Sequence, residues 1–345
     1  MAALRPRDLL SDVLLARLGG TLGADGGTLG DGVAPGARGG AALTGAGDAE
    51  VARTIARDIT KLAGAGYLNV ALPPEFGGLG CTLRQAACGQ RRLARHAPRT
   101  AMAVSAHLYW TGAAADAYRS GDDSVRWILL EAARGALFAA GHGESGSDLK
   151  FADPHSRCEP AGEMGYRFQT RGVLSGVTPA WDWMAVHGIT GDRRPDAVLA
   201  FAGRGTRCTP AFRVARVLPA GAPSDIFTTS AITWGNSILA SVEYSHARRT
   251  FNDAIVSLDR RHDAALGTHP LDQWPVAEAS LRLDAMKAKI AEITHPWPLV
   301  PEAGLDLGGQ RLISLYTMRH QVADGAAHVH RLVGQMNSAQ PVAAL

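Results

Sequence analysis

Residues 135–187 break a chain that is otherwise written in helical periodicity, and that break decides the fold class. The stretch reads GALFAAGHGESGSDLKF and, after an irregular connection, GYRFQTRGVLSGVTPAWDWMAVHGI. A short apolar segment, residues 136–140, runs into a glycine- and serine-rich turn, residues 141–148. Such a turn is how a strand delivers backbone N–H groups to a phosphate or a ring edge. Tyr166 and Phe168 alternate with polar neighbours, and an apolar run covers residues 184–186, so two further strands are predicted. Together these segments read as a small sheet carrying a polar loop.

Helical spacing flanks it on both sides. Val51, Ile55, Ile59 and Leu62 recur one turn apart, with Asp48 as the expected N-cap and Gly64 as the stop. Pro73 and Pro74 with Gly77, Gly78 and Gly80 force a turn-rich connection, after which Leu83, Ala87 and Leu93 predict another helix. Residues 101–118 and 124–134 read as helical too. Beyond the sheet, residues 238–258 carry Val242, Ala247, Phe251 and Ile255, and residues 274–293 carry Val276, Ala279, Leu283, Met286 and Ile290. His295, Pro296 and Pro298 end the second of these, and residues 312–333 make a third. Three long helices with short polar links predict an antiparallel bundle. The division expected is 1–47 disordered or loosely ordered, 48–134 a helical N-domain, 135–230 a middle β-domain and 231–345 the bundle. The first segment is rich in glycine and alanine and cannot offset its ordering entropy.

Composition excludes several function classes. With 35 basic against 32 acidic residues, net charge +3 and no long like-charge block, nothing points to nucleic acid. The longest apolar stretches are interrupted within about a dozen residues, short of the ~20 that span a bilayer, so no membrane partner is expected. A basic-then-apolar leader is not seen, and the reading is cytoplasmic. Cys81, Cys88, Cys158 and Cys208 are widely spread with no CxxC pair, which reads as reduced, structural thiols.

The ordered motifs carry a family resemblance. AGYLNVALPPEFGGLG resembles the segment that acyl-CoA dehydrogenases place before their fourth helix, and GHGESGSDL resembles their flavin-contacting turn. GYRFQTRGVLSGVTPAWDW is similar to the strand and turn that close over the flavin, and VEYSHARRTFNDAI looks like the helix opening their C-terminal bundle. The resemblance spans residues 48–334. It implies an α+β, mostly α fold: helical N-domain, small middle β-barrel or sheet, and C-terminal antiparallel helical bundle. It further implies FAD as cofactor, an acyl thioester (acyl-CoA or carrier-bound) as substrate, α,β-dehydrogenation as reaction, and a homodimer or homotetramer. Carried over by position, Ala140, His142, Gly143 and Ser147 would hold the flavin edge, and Leu174, Ser175 and Gly176 would cover the ring. Ser147, Trp110 and Arg248 would face the substrate, with Arg249 near the acyl chain or a subunit contact. No metal is implied.

Three departures open two alternatives. Leu174, Ser175 and Gly176 stand where relatives place an aromatic residue against the flavin. The stretch after Phe201 lacks their G-M-R-x-T turn, so the middle domain reads as shortened. No counterpart of the helix that bears their catalytic glutamate follows HRLVGQMNS. No catalytic base is therefore assigned; Glu243 lies on the bundle's first helix, where some relatives keep theirs. One alternative is a non-catalytic member acting as a structural or interaction partner, paired with an intact paralogue. The other is a reduced-flavin-dependent monooxygenase of the same fold.

Plainer roles stand beside these. Glu144 and Asp148 also suit turn capping, and His142 a satisfied polar group. His107, Tyr109 and Trp110 form a cluster of the kind that fills a helical core. Trp181 and Trp183 are expected to pack the middle domain against the bundle. His328 and His330 are two apart, which places them on different helical faces and argues against a metal pair.

Overall fold

A computed structural model of the chain describes Leu10, Leu15 and residues 46–140, 156–161, 165–169, 180–191, 194–204, 212–219, 225–261, 270–295 and 307–338. Four helices come first: α1 Ala46–Gly64, α2 Leu83–His96, α3 Pro98–Arg119 and α4 Arg126–Ala133. Six strands follow: β1 Phe138–Ala140, β2 Arg157–Pro160, β3 Tyr166–Gln169, β4 Trp183–Thr190, β5 Asp196–Gly203 and β6 Phe212–Pro219. Three long helices close the chain: α5 Ile226–Arg261, α6 Pro270–Ile293 and α7 Leu307–Ser338. The expected order of helices, sheet and helices is what forms.

Local chemistry explains the boundaries. α1 begins at Ala46, two residues before the expected cap, and ends at Gly64 as its sequence requires. Thr82 caps α2 through a reciprocal pair with Gln85, each side chain meeting the other's backbone N–H. The turn before α2 depends on Gly78, where a Cβ would sit 2.1 Å from the Leu72 carbonyl oxygen. Pro98 opens α3 at a position where its missing N–H costs nothing.

α3 is the axis of the molecule. Sixteen of its 22 residues are buried, so it has no solvent face and must satisfy its polar groups inside the protein. The Gln90 amide of α2 donates to the Ala101 carbonyl (2.9 Å) and to Ser105 Oγ (3.1 Å), and its oxygen accepts from the Tyr67 hydroxyl (3.1 Å). Leu10 and Leu15 belong to the same apolar cluster as Ile55, Ile59, Leu62, Val104 and Val242.

The sheet runs β3-β2-β4-β5-β6, with β1 parallel to β4. Aromatic rings fill the space between sheet and helices. Trp110 meets Phe201 edge-on at 4.9 Å, Phe201 meets Phe138 at 5.7 Å, and Trp127 meets Trp183 at 5.2 Å. Among the described residues, the ring contacts of Trp181 and Trp183 are with the helical N-domain and the sheet rather than with the bundle. Trp183 packs instead against α4, with the Arg213 guanidinium over both Trp183 and Trp127, while Arg204 lies over Trp181. A flat ring that can take a cation on its face is as well served by a neighbouring strand as by a helix.

Arg216 of β6 ties three elements together. Its guanidinium is paired with Asp122 before α4 and Asp225 before α5, donates to Ser124 Oγ at 2.8 Å, and stacks on Phe227. The helices α3 and α5 pack tightly at Gly112, where a Cβ would lie 2.4 Å from the Trp234 ring. Gly112→Ala should therefore cost about 2 kcal/mol or more through overpacking. Urea denaturation of the variant checks this, and an unchanged midpoint would show that the Trp234 contact is slack.

Candidate functional site

Among the described residues, β4 is paired differently along its two edges. β5 pairs along one edge of β4 from Trp183 to Ile189. On the other edge β1 takes residues 183–185 and β2 takes Ile189 and Thr190. Val186, His187 and Gly188 lie between, and among the described residues no strand pairs with them there. The chain leaves β1 at Ala140, opposite Ala185, and returns in β2 at Arg157, opposite Ile189. β3 ends at Gln169, opposite Arg157, before the chain re-enters the sheet at Trp183. The first polar segment singled out in the sequence thus joins two strands on the same edge of β4, and the second begins after Gln169, opposite Arg157.

β1 is fixed from two sides. His107 Nδ1 accepts the Phe138 N–H (3.3 Å) and its Nε2 faces the Leu68 carbonyl at 3.0 Å. Burial pushes this ring down to about 4, opposed by the Leu68 bond and the Asp182 charge, so it is neutral near pH 7 with the proton on Nε2. The Asp182 carboxylate in turn accepts the Leu137 N–H at 2.8 Å, and Leu137 O accepts from Asp182 and Trp183. The strand that delivers the 141–148 turn is therefore held by a helix behind it and a carboxylate beside it.

The helical wall has its own polar chemistry. Asp116 near the end of α3 accepts from Trp234 Nε1 (2.8 Å), Ser230 Oγ (3.2 Å) and Arg119 (3.1 Å). Burial raises its pKa, opposed by those bonds and by the Arg119 charge. On α5, Ser230, Trp234, Ser237, Ser241 and Ser245 fall on one stripe at helical spacing. That stripe faces α3 and α2, since Ser245 Oγ donates to the Arg91 carbonyl at 2.7 Å. Ser237 and Ser241 are fully buried in it, and their hydroxyls have no partner among the described residues.

The expected site residues divide as follows. Ala140 is the last residue of β1 and buried. His142, Gly143, Ser147, Leu174, Ser175 and Gly176 lie outside the described residues. Trp110 is fully buried among Tyr109, Phe201 and Phe227, the core position that the plainer reading assigns it. Arg248 is half-buried on α5 with no polar partner among the described residues; at helical rise it sits ~16 Å along the axis from Ser237. Its neighbour Arg249 bonds within the chain, donating to the Arg95 carbonyl at 3.1 Å. Glu243 is not a free carboxylate. Both of its oxygens are held by Arg319 of α7, one at 2.8 Å. His328 bonds Glu278 at 2.7 Å, whereas His330 lies against His246 at 5.1 Å, so the two histidines do point to different helices. No cluster of three metal-binding side chains occurs among the described residues, and none of the described helices is long and apolar enough to cross a membrane. Burial pushes the Cys81 and Cys158 thiols up to about 11, which makes them poor nucleophiles.

Sequence reasoning missed His107 and Asp116 as anchors. A lone polar residue inside an apolar helix, Asp116 above all, was the available signal.

No family model matches the chain, and no curated protein matches it in sequence. Solved structures do. The nitrososynthase of Micromonospora carbonacea var. africana is 18% identical, with 85% of this chain and 88% of that one covered and a TM-score of 0.60. The steroid ACAD Tcur3481-Tcur3483 is 20% identical, covering 84% and 81%, at a TM-score of 0.55. TdsC of Paenibacillus sp. A11-2, solved with FMN and indole, is 15% identical, covering 84% of each chain, at 0.56. The fold is that of the acyl-CoA dehydrogenase-like flavoproteins.

Two buried histidines make stability depend on pH. His107 and His246 are each pushed down to about 4 by burial, from an ordinary value of 6.5. Below pH 6.5 the unfolded chain binds more protons than the folded one, so their contribution is complete above 6.5 and is lost as pH falls toward 4. Each group contributes up to about 1.4 kcal/mol per pH unit to the slope. His107→Gln should remove one proton's share of that slope in urea denaturation at pH 7, 6 and 5. An unchanged slope would mean that His107 does not stay neutral in the folded state.

Proposed function

We propose that this chain is a flavin-dependent oxidoreductase, with the cofactor seated at the side of the sheet where β1 and β2 meet β4. The observation that carries the reading is that the first polar segment joins Ala140 to Arg157, both on the same edge of β4, and that the second follows Gln169, opposite Arg157. The fold and the FMN held by TdsC support it. A bound flavin supplies two-electron and oxygen chemistry that side chains do not provide. The chain's own part is to bind and orient. His107 and Asp182 hold β1 in place; by the family resemblance, Ser147 would donate to the flavin or the substrate, and Leu174, Ser175 and Gly176 would cover the ring. The buried Ser237 and Ser241 hydroxyls offer unused hydrogen-bonding groups on the helical side.

Between the two chemistries compatible with such a site, oxygenation by reduced flavin is the better supported. Dehydrogenation of an acyl thioester needs a carboxylate free to take an α-proton. Glu243, which lies on the helix where some acyl-CoA dehydrogenases keep their base, is locked by Arg319. Dehydrogenation on FAD remains the second reading, with its base supplied from outside the described residues.

The visible spectrum of the purified protein, mixed with FMN or FAD and passed through gel filtration, tests the proposal. A retained yellow band is expected; a folded, colourless protein with both flavins would sink it. Anaerobic bleaching of the band by an acyl thioester would favour the second reading. Ser147→Ala should weaken flavin retention about fivefold, the effect of one lost hydrogen bond, and leave the melting temperature of the apoprotein unchanged. Equal affinity would remove Ser147 from the site.

A further inference from the structure

Two histidines face each other across the bundle. His246 of α5 and His330 of α7 bring their ring centroids to 5.1 Å with the planes 44° apart, a contact between a stack and an edge-on meeting. A buried imidazole that serves only as packing turns its nitrogens to hydrogen-bonding partners, as His107 does with Leu68 and Phe138. This pair does not. His246 Nδ1 is sealed from solvent with no partner among the described residues, and the His330 ring makes no hydrogen bond among them. Burial pushes the His246 ring down to about 4 and lowers that of His330 as well, so both are neutral near pH 7 and each keeps a lone pair on one nitrogen.

We propose that His246 and His330 bind a divalent transition metal ion of borderline softness, Zn2+, Ni2+ or Cu2+, between α5 and α7. Imidazole nitrogen suits these ions. A tetrahedral ion about 2.0–2.1 Å from one nitrogen of each ring sets the two ring centroids about 5.2 Å apart, against the 5.1 Å of this pair. The charges around the pair are matched among themselves. Glu243, one turn before His246, is held by Arg319, and Arg249, one turn after it, lies 3.7 Å from Asp253 and donates to the Arg95 carbonyl. Arg331, next to His330, donates to His328 Nδ1 at 3.1 Å. The Arg249 charge opposes a cation here as it opposes a proton on His246, which sets the affinity below that of a structural zinc centre. Two protein ligands leave the remaining positions to water, so the ion exchanges and acts as a clamp between two helices. Metal binding at this pair does not depend on flavin binding, so either can fail alone.

Calorimetric titration of the EDTA-treated full chain with Zn2+ is the first test. One equivalent bound by the wild type should be lost in both His246→Gln and His330→Gln, with helicity by circular dichroism unchanged. It should be kept in His328→Gln, which alters the neighbouring histidine that Glu278 already holds. Zn2+ at about ten times its Kd should raise the melting temperature of the wild type by about 2 °C and leave that of both variants where it was. A zinc stoichiometry equal in the wild type and both variants, or an equivalent lost in only one of them, overturns the proposal. A second test replaces one ligand by another, so that it does not rely on losing a side chain. In a chain with Cys88→Ser and Cys208→Ser, His330→Cys should still bind the equivalent, and with Co2+ it should gain a thiolate-to-metal absorption band that the wild type lacks. Adding His246→Gln should abolish that band. No band in the first of these variants, or a band that survives in the second, refutes the site.

Discussion

The hydrogen bonds of one neutral imidazole tie the site to the core. His107 sits on a helix with no solvent face, donates to the carbonyl of Leu68 in the turn before α2, and accepts from Phe138 at the start of β1. A protonated ring could not accept, so the link exists only because burial keeps the ring uncharged near pH 7. Through it the three-residue strand β1, too short to be fixed by its own ladder with β4, inherits the rigidity of the helical domain. Asp182 completes the constraint from the other side.

The same logic recurs where α3 meets α5. Gly112 admits the Trp234 ring, and the Asp116 carboxylate gathers the indole N–H, a serine and an arginine. Burying a carboxylate there is costly, and its raised pKa records that cost. What is gained is a single register between two long helices that many sliding arrangements of alanine and serine would otherwise satisfy. The Glu243–Arg319 pair does the corresponding work between α5 and α7 and leaves neither oxygen of that carboxylate free. An active-site proposal built on position alone would have miscast it.

α6 shows the opposite economy. A helix at the rim of a bundle needs one apolar stripe, and a second one on its far side carries an exposed tryptophan and leucine into water unless something covers them.

The sequence by itself determined the order of the parts. Periodicity at 3.6 residues gave the helices around Ile55, Leu93, Leu283 and Val329, and the glycine-broken apolar runs gave β1, β3 and β4, because both signals are local. It understated α5, whose first three turns, from Ile226 on, are rich in threonine and serine and look like a loop until the bonds of Ser230 and Trp234 to Asp116 of α3 are seen. It also passed over β6, where Arg213 and Arg216 interrupt the alternation; only the Trp127 and Trp183 rings and the Asp122 and Asp225 carboxylates make those arginines at home in a sheet. The placement of β1 and β2 on one edge of β4, the His107 link and the Arg319 lock on Glu243 were decided by the tertiary structure alone. Each joins residues 31 to 76 positions apart, and no local spacing encodes a contact of that kind.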